Sequence, residues 1–165
     1  MPARAPGGVS RVLIVMAGAC AAAAAVAAVG LTGLPLGQRV LDEHFDAIQL
    51  ATCALWVLTV LSLVAAPVAV AREIGAGNRN AISHAVVERA RLPRILGLAL
   101  GAHGAAFATW PASLLVGSAY TFAVFRAHMM LTMSVVVTAT VLALLELHAW
   151  RTKLASIVQA QESSA

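Results

Sequence analysis

The chain of 165 residues is 61% hydrophobic and only 11% charged, with a formal net charge of +4. Soluble domains carry about a quarter charged residues, so water is excluded as the main solvent of this fold, and the basic excess matters through its position along the chain and not as a nucleic-acid surface. The two cysteines, Cys20 and Cys53, lie inside apolar stretches and define neither a disulfide framework nor a metal motif.

From Val12 to Gly37 no ionisable group occurs apart from the Cys20 thiol. An uncharged run of about 18 residues or more is a membrane-spanning candidate, and a first helix is predicted over 12–36. Arg4 and Arg11 ahead of it, with small residues around Ala27 and Ala28, also fit a secretory signal. The run is longer than the about 7 to 15 residues of a signal core, so a retained helix is expected. A lipoprotein signal ending at Cys20 is disfavoured by Ala17, where such signals carry a larger aliphatic residue. Ala17, Ala21 and Ala25 form a ridge at four-residue spacing, which lets helices approach backbone to backbone.

The first connection sets Arg39 against Asp42, Glu43 and Asp46, and a second helix is predicted over 46–71, where Gln49 is the one large polar residue after Asp46. The loop 72–93 is basic, with Arg72, Arg79, Arg89 and Arg91 against Glu73 and Glu88, and Arg94 follows directly. Within it, after Gly75 and Gly77, a short helix capped by Asn80 is expected, with His84 and Glu88 one turn apart and Ile82, Val86 and Ala90 sharing a stripe. Such a helix would lie on the membrane surface, with Arg89, Arg91 and Arg94 facing anionic headgroups.

A third helix is predicted over 94–111. The uncharged run 95–125 is too long for one crossing of about 20 residues and too short for two. Trp110 suits the headgroup level and Pro111 disfavours continuation, so 112–125 is expected as an outer interfacial segment. Gly97, Gly101 and Ala105 repeat the small-residue ridge; internal packing is the first expectation and dimerisation the alternative. The fourth helix is predicted over 126–150, followed by Arg151 and Lys153 against Glu162. Every basic segment then falls on one face, which places both termini inside. The fold expected for 1–165 is a single all-α integral membrane four-helix bundle.

Few polar groups can carry chemistry. His103, flanked by Gly101 and Gly104, is expected near the bilayer midplane, as a haem ligand or proton relay or, more simply, as a neutral imidazole hydrogen-bonded to a neighbouring helix. Glu146, one turn before Trp150, is expected to pair with Arg94. On the outer side Asp42, Glu43, His44 and Asp46 can approach Arg126, His128, Met129, Met130 and Met133. Imidazole with thioether favours copper, and imidazole with carboxylate suits zinc, so this is the candidate metal site, although no fixed ligand spacing supports it. No nucleophile with an adjacent base, no phosphate-cradling loop and no nucleotide fingerprint occurs.

Two stretches, "RVLDEHFDAIQLATCALWVL" at 39–58 and "PASLLVGSAYTFAVFRAHMMLTMSVVV" at 111–137, resemble a group of small four-helix membrane proteins of unknown function. The group includes bacterial domains and the vertebrate transmembrane protein associated with cisplatin resistance. The likeness rests on Phe45 opening helix two, Pro111 after helix three, and Phe125, Arg126 and His128 opening helix four. It covers about half of the chain; helix one and residues 112–124 depart from the group's pattern. It implies a topology and no activity. The expected function is a non-enzymatic membrane protein, acting as an accessory or assembly subunit of a larger complex or as a self-associating bundle. Its partners would be lipids and other membrane subunits or itself, in a bacterial inner membrane or an organelle membrane. A metal- or solute-handling protein using the outer cluster is the alternative, and a haem-bearing electron carrier using His103 the second.

Overall fold

The computed structural model describes residues 8–33, 35–75, 78–115 and 122–164, and among them helices joined by short turns are the only regular structure. Its elements are α1 (Gly8–Gly33), α2 (Pro35–Glu43), α3 (Phe45–Glu73), α4 (Arg79–Glu88), α5 (Arg91–Leu115) and α6 (Phe122–Ser163). Three helical stretches, Gly8–Ala27, Ala54–Glu73 and Leu131–Ser163, are long and apolar enough to cross a membrane. Their exposed surface is rich in large aliphatic residues, such as Val15, Val26, Leu61 and Leu145, each more than half exposed. That distribution suits a hydrocarbon solvent.

α1 packs on α3 and α6, and α5 packs mainly on α6 and more sparsely on α3. The four meet where Leu63 of α3 is fully buried among Ala17 of α1, Ala99 of α5, and Ala139 and Ala143 of α6. Small side chains let the backbones close in, and one leucine fills the space between them. The α1 ridge is therefore internal: Ala17, Ala21 and Ala24 are buried, while Ala25 is half-buried, because the buried stripe steps by three at that point.

Among the described residues, two prolines lie in helix interiors. Pro67 lies inside α3, and α5 runs through Pro111 to Leu115. A proline lacks the N–H for one helical bond, a loss that packed helices tolerate when neighbours or local adjustment satisfy the freed carbonyl. The span 112–125 is accordingly divided between the end of α5 and the start of α6, and residues 116–121 lie outside the described residues.

A second and larger core forms at the end of the bundle that carries the arginines. There Val70 and Ile74 of α3, Ala81 and Ala85 of α4, Leu92 of α5, and Leu147, Trp150 and Leu154 of α6 are buried together. This is possible because α6, at 42 residues, is about 63 Å long at ~1.5 Å per residue, roughly twice a bilayer's hydrocarbon thickness. Its C-terminal turns continue past Arg151 and hold α4.

Two details of α4 differ from the expectation drawn from sequence. The cap is Asn78, whose side chain accepts from the Ala81 N–H at 3.0 Å, not Asn80. Its buried stripe is Ala81 and Ala85 with Ile82 beside it, while Val86 and Ala90 are exposed. α4 thus docks on α6 as well as fronting solvent, and the small alanines set how close it comes. Gly75, just before it, is needed for close approach. A Cβ there would meet the Ala71 carbonyl oxygen at 2.5 Å and the Ile82 side chain at 2.7 Å. Gly75→Ala is expected to lower stability by about 1–3 kcal/mol through forced displacement, read as a shifted denaturation midpoint in detergent.

Candidate functional site

Among the described residues, three places that bring polar or small-residue features together bear on function; a further open hollow between α4 and α6, beside Asn80, His84 and Gln161, lies at the basic end. The first is the basic end. No acidic residue occupies the first turn of α1, yet the Glu73 carboxylate at the end of α3 accepts from the Val9 N–H at 3.0 Å and the Ser10 N–H at 3.1 Å. It thereby satisfies donors that a helix leaves unpaired at its start and places a negative charge on the positive end of the dipole. Arg151 Nε donates to Ser10 Oγ at 3.4 Å. The start of α1, the end of α3 and residue 151 of α6 therefore share one end of the bundle.

Beside it, Lys153 Nζ and Glu88 Oε2 are 2.6 Å apart, and His84 Nδ1 and Glu88 Oε1 are 3.1 Å apart. The hydrogen bond from Lys153 and its charge hold the Glu88 carboxyl below its ordinary value near 4.5; loss of hydration opposes this, and His84 and Arg89 reinforce it. A folded-state value below the unfolded one means that the contribution is complete above the ordinary carboxylate range and is lost as pH falls through the lowered value. The protection of the α4 amides, taken relative to the intrinsic exchange rate at each pH, should therefore fall between about pH 6 and about pH 3, and Glu88→Gln should show the lowered protection at both. Glu146 is paired differently from the expectation: Arg89 Nη1, not Arg94, stands 4.0 Å from its Oε2. Arg91 and Arg94 are exposed.

The second place is a cleft of about 350 Å³ between α3 and α5, lined by Trp56, Val57, Leu61, Leu100, His103 and Phe107 among others. His103 is 3% exposed. Its Nδ1 lies 2.9 Å from the Ala99 carbonyl oxygen; a carbonyl only accepts, so Nδ1 carries the proton and Nε2 is left as an acceptor. The partner is thus a carbonyl of its own helix and not of a neighbouring one. Nε2 is buried without a hydrogen-bond partner, and so is the Trp56 Nε1–H. An unsatisfied buried group costs about 1–3 kcal/mol; Trp150 Nε1 in the basic-end core bears the same cost, and what sets His103 and Trp56 apart is that both line one cleft. Trp56 and Phe107 make a tilted ring pair with centroids 6.5 Å apart.

The third is the outward face of α5. Gly97, Gly101, Gly104 and Ala105 are all exposed. A Cβ at any of the three glycines would meet nothing within 4 Å. The small-residue ridge that was expected to pack internally is therefore turned away from the rest of the chain, because α5 uses Leu92, Ala99, His103 and Ala106 on its opposite face.

The side chains of most of the outer candidates fall outside the described residues. His44 is the exposed residue preceding α3, without a capping bond from its side chain, and Glu43 is exposed. The side chains of Asp42, Asp46, Arg126, His128, Met129 and Met130 lie outside the described residues. Met133 is buried against Trp56, Ala106 and Val136. No group of three potential metal ligands occurs among the described residues. Comparison with protein-family models, curated proteins and solved structures finds no match.

Proposed function

We propose that the chain is a small non-enzymatic integral membrane protein that works by lateral assembly, with a second copy of itself or with a helix of a larger membrane complex. The observation that carries this reading is the open glycine stripe of α5. Gly97, Gly101 and Ala105, at four-residue spacing, present bare backbone on a helix otherwise bordered by Leu98 and Phe107, 62% and 56% exposed. Lipid tails match leucine well and match a backbone groove poorly, whereas another helix fills such a groove closely. On this reading α1, α3, α5 and α6 are four crossings, and the positive-inside bias sets both termini on the side of the arginine-rich end. The resemblance of 39–58 and 111–137 to small four-helix membrane proteins agrees with that topology.

Single cysteines at Gly97 and Leu98 test the reading, in chains whose Cys20 and Cys53 are replaced. Oxidation in native membranes should give a crosslinked adduct through position 97 more readily than through 98. Adding Gly101→Leu should remove the adduct. Equal crosslinking at both positions, insensitive to Gly101→Leu, would sink the idea.

A further inference from the structure

The cleft between α3 and α5 is chemically distinct from the α5 stripe and invites a ligand of its own. α3 and α5 touch each other much less than α3 touches α1 or α5 touches α6, and the slack in that seam is the cleft. Its walls are apolar, from Val57 and Leu61 on one side and Leu100 on the other, with the Trp56 and Phe107 rings at one end. About 350 Å³ is the size of a small ligand site. His103 lies eight residues after Ile95, about 12 Å along the helix at ~1.5 Å per residue, and so deep among apolar turns.

The two unpartnered nitrogens are complementary in kind. With Nδ1 donating to Ala99, His103 Nε2 only accepts; Trp56 Nε1–H only donates. A metal-free carbonyl compound would satisfy the tryptophan alone, and a hydrocarbon neither. A hydroxyl both donates and accepts. We infer that the α3/α5 cleft binds a hydroxyl-bearing amphipathic membrane molecule, whose hydroxyl donates to His103 Nε2 and whose body lies along Val57, Leu61 and Leu100. The Trp56 and Phe107 rings favour a flat head such as that of an isoprenoid quinol, although a long-chain isoprenoid alcohol carries the same donor. His103 Nε2 is buried, so a cleft side chain has to move as the ligand enters; Phe107, which lines the cleft and is more than half exposed, is the one with room to do so. The stripe positions Gly97, Gly101 and Ala105 lie outside the cleft lining, whereas Gly104 and Phe107 border both; Leu61→Phe, on α3, narrows the cleft without touching the stripe, so failure of this site and failure of the assembly reading are told apart by it.

The full chain, labelled in its histidine rings and held in phospholipid nanodiscs, is titrated with decyl-ubiquinol in one arm and with farnesol in the other. The ring-nitrogen resonance that is missing in His103→Phe reports Nε2. A saturable displacement in at least one arm is expected, and Gly104→Leu, which narrows the cleft and keeps the imidazole, should weaken it roughly tenfold. Leu61→Phe narrows the opposite wall and serves if Gly104→Leu does not fold. Displacement by quinol alone supports the site and shows that the ring is required; displacement by both supports it and shows that the hydroxyl suffices. No saturable displacement in either arm, or displacement unaffected by both narrowing variants, overturns the inference. A Soret band in the purified protein also overturns it, because iron would then hold Nε2.

Discussion

Leu63→Ala should lower stability by about 2–5 kcal/mol, the range for emptying a fully buried leucine site, and should do so without altering helix content. The reason is the company Leu63 keeps. It is 0% exposed and the one large residue of the fully buried set it forms with Ala17, Ala99, Ala139 and Ala143, with the partly buried Ile95, Leu96, Leu100 and Leu144 packed around that set. The alanines cannot extend into the space, so any refilling falls to those outer side chains, which are held on other helices' flanks and can close it only in part. Packing is also the main force holding membrane helices together, since lipid is as apolar as leucine. Leu63→Met, nearly volume-conserving, should cost less than about 1.5 kcal/mol. Denaturation of the reconstituted protein, followed by circular dichroism, separates the two; equal midpoints for Leu63→Ala and the parent would show that the alanine socket is not a core.

Glu73→Ala acts through charge and capping instead of volume. It removes the acceptor of two N–H groups at the start of α1 and a negative charge that acts on Arg151 at a junction of three helices. The expected loss is about 0.5–2 kcal/mol, the range for removing a side-chain acceptor at a helix start, because the Val9 N–H is exposed to water and the Ser10 N–H part-buried. Glu73→Gln keeps an oxygen acceptor and loses the charge, so it should retain part of the stability. Protease cleavage near residues 8–11 reports the outcome directly. If Gln and Ala variants both leave that turn as protected as in the parent, Glu73 does not hold α1 in place.

The apolar runs made most of the helices legible, because a span needs little beyond length and the exclusion of charge. The end points were less legible. Arg151 and Lys153 read as the end of the fourth helix, yet residues 151–163 contain no glycine or proline, and α6 simply continues until Ser163. Likewise Pro35 opens the short helix α2, in a connection whose charges marked it only as a loop; proline suits a first helical turn because the missing N–H would be unpaired there anyway. At α4 a cap two residues earlier than Asn80 rotates the expected buried stripe onto Ala81 and Ala85.

The sites divide in the same way. His103 stood out because an imidazole deep in an apolar run is costly, and its burial follows from that position. Trp56 did not, since a tryptophan within an apolar run has no pattern of its own; its unpartnered indole is visible only once α3 lies beside α5. The α5 ridge was visible as a pattern, but spacing alone cannot say whether small residues face inward or outward. That depends on which side of α5 the buried residues Ala99 and Ala106 claim.

Lateral assembly through α5 is most directly tested by native mass spectrometry of the full chain released from lipid vesicles, parent and Gly101→Leu side by side. The parent should leave the membrane as a defined oligomer or bound to a stoichiometric membrane partner, and Gly101→Leu should leave it as a folded monomer. A parent chain released only as a monomer without a partner, or a Gly101→Leu chain with the parent's assembly intact, would contradict the proposal.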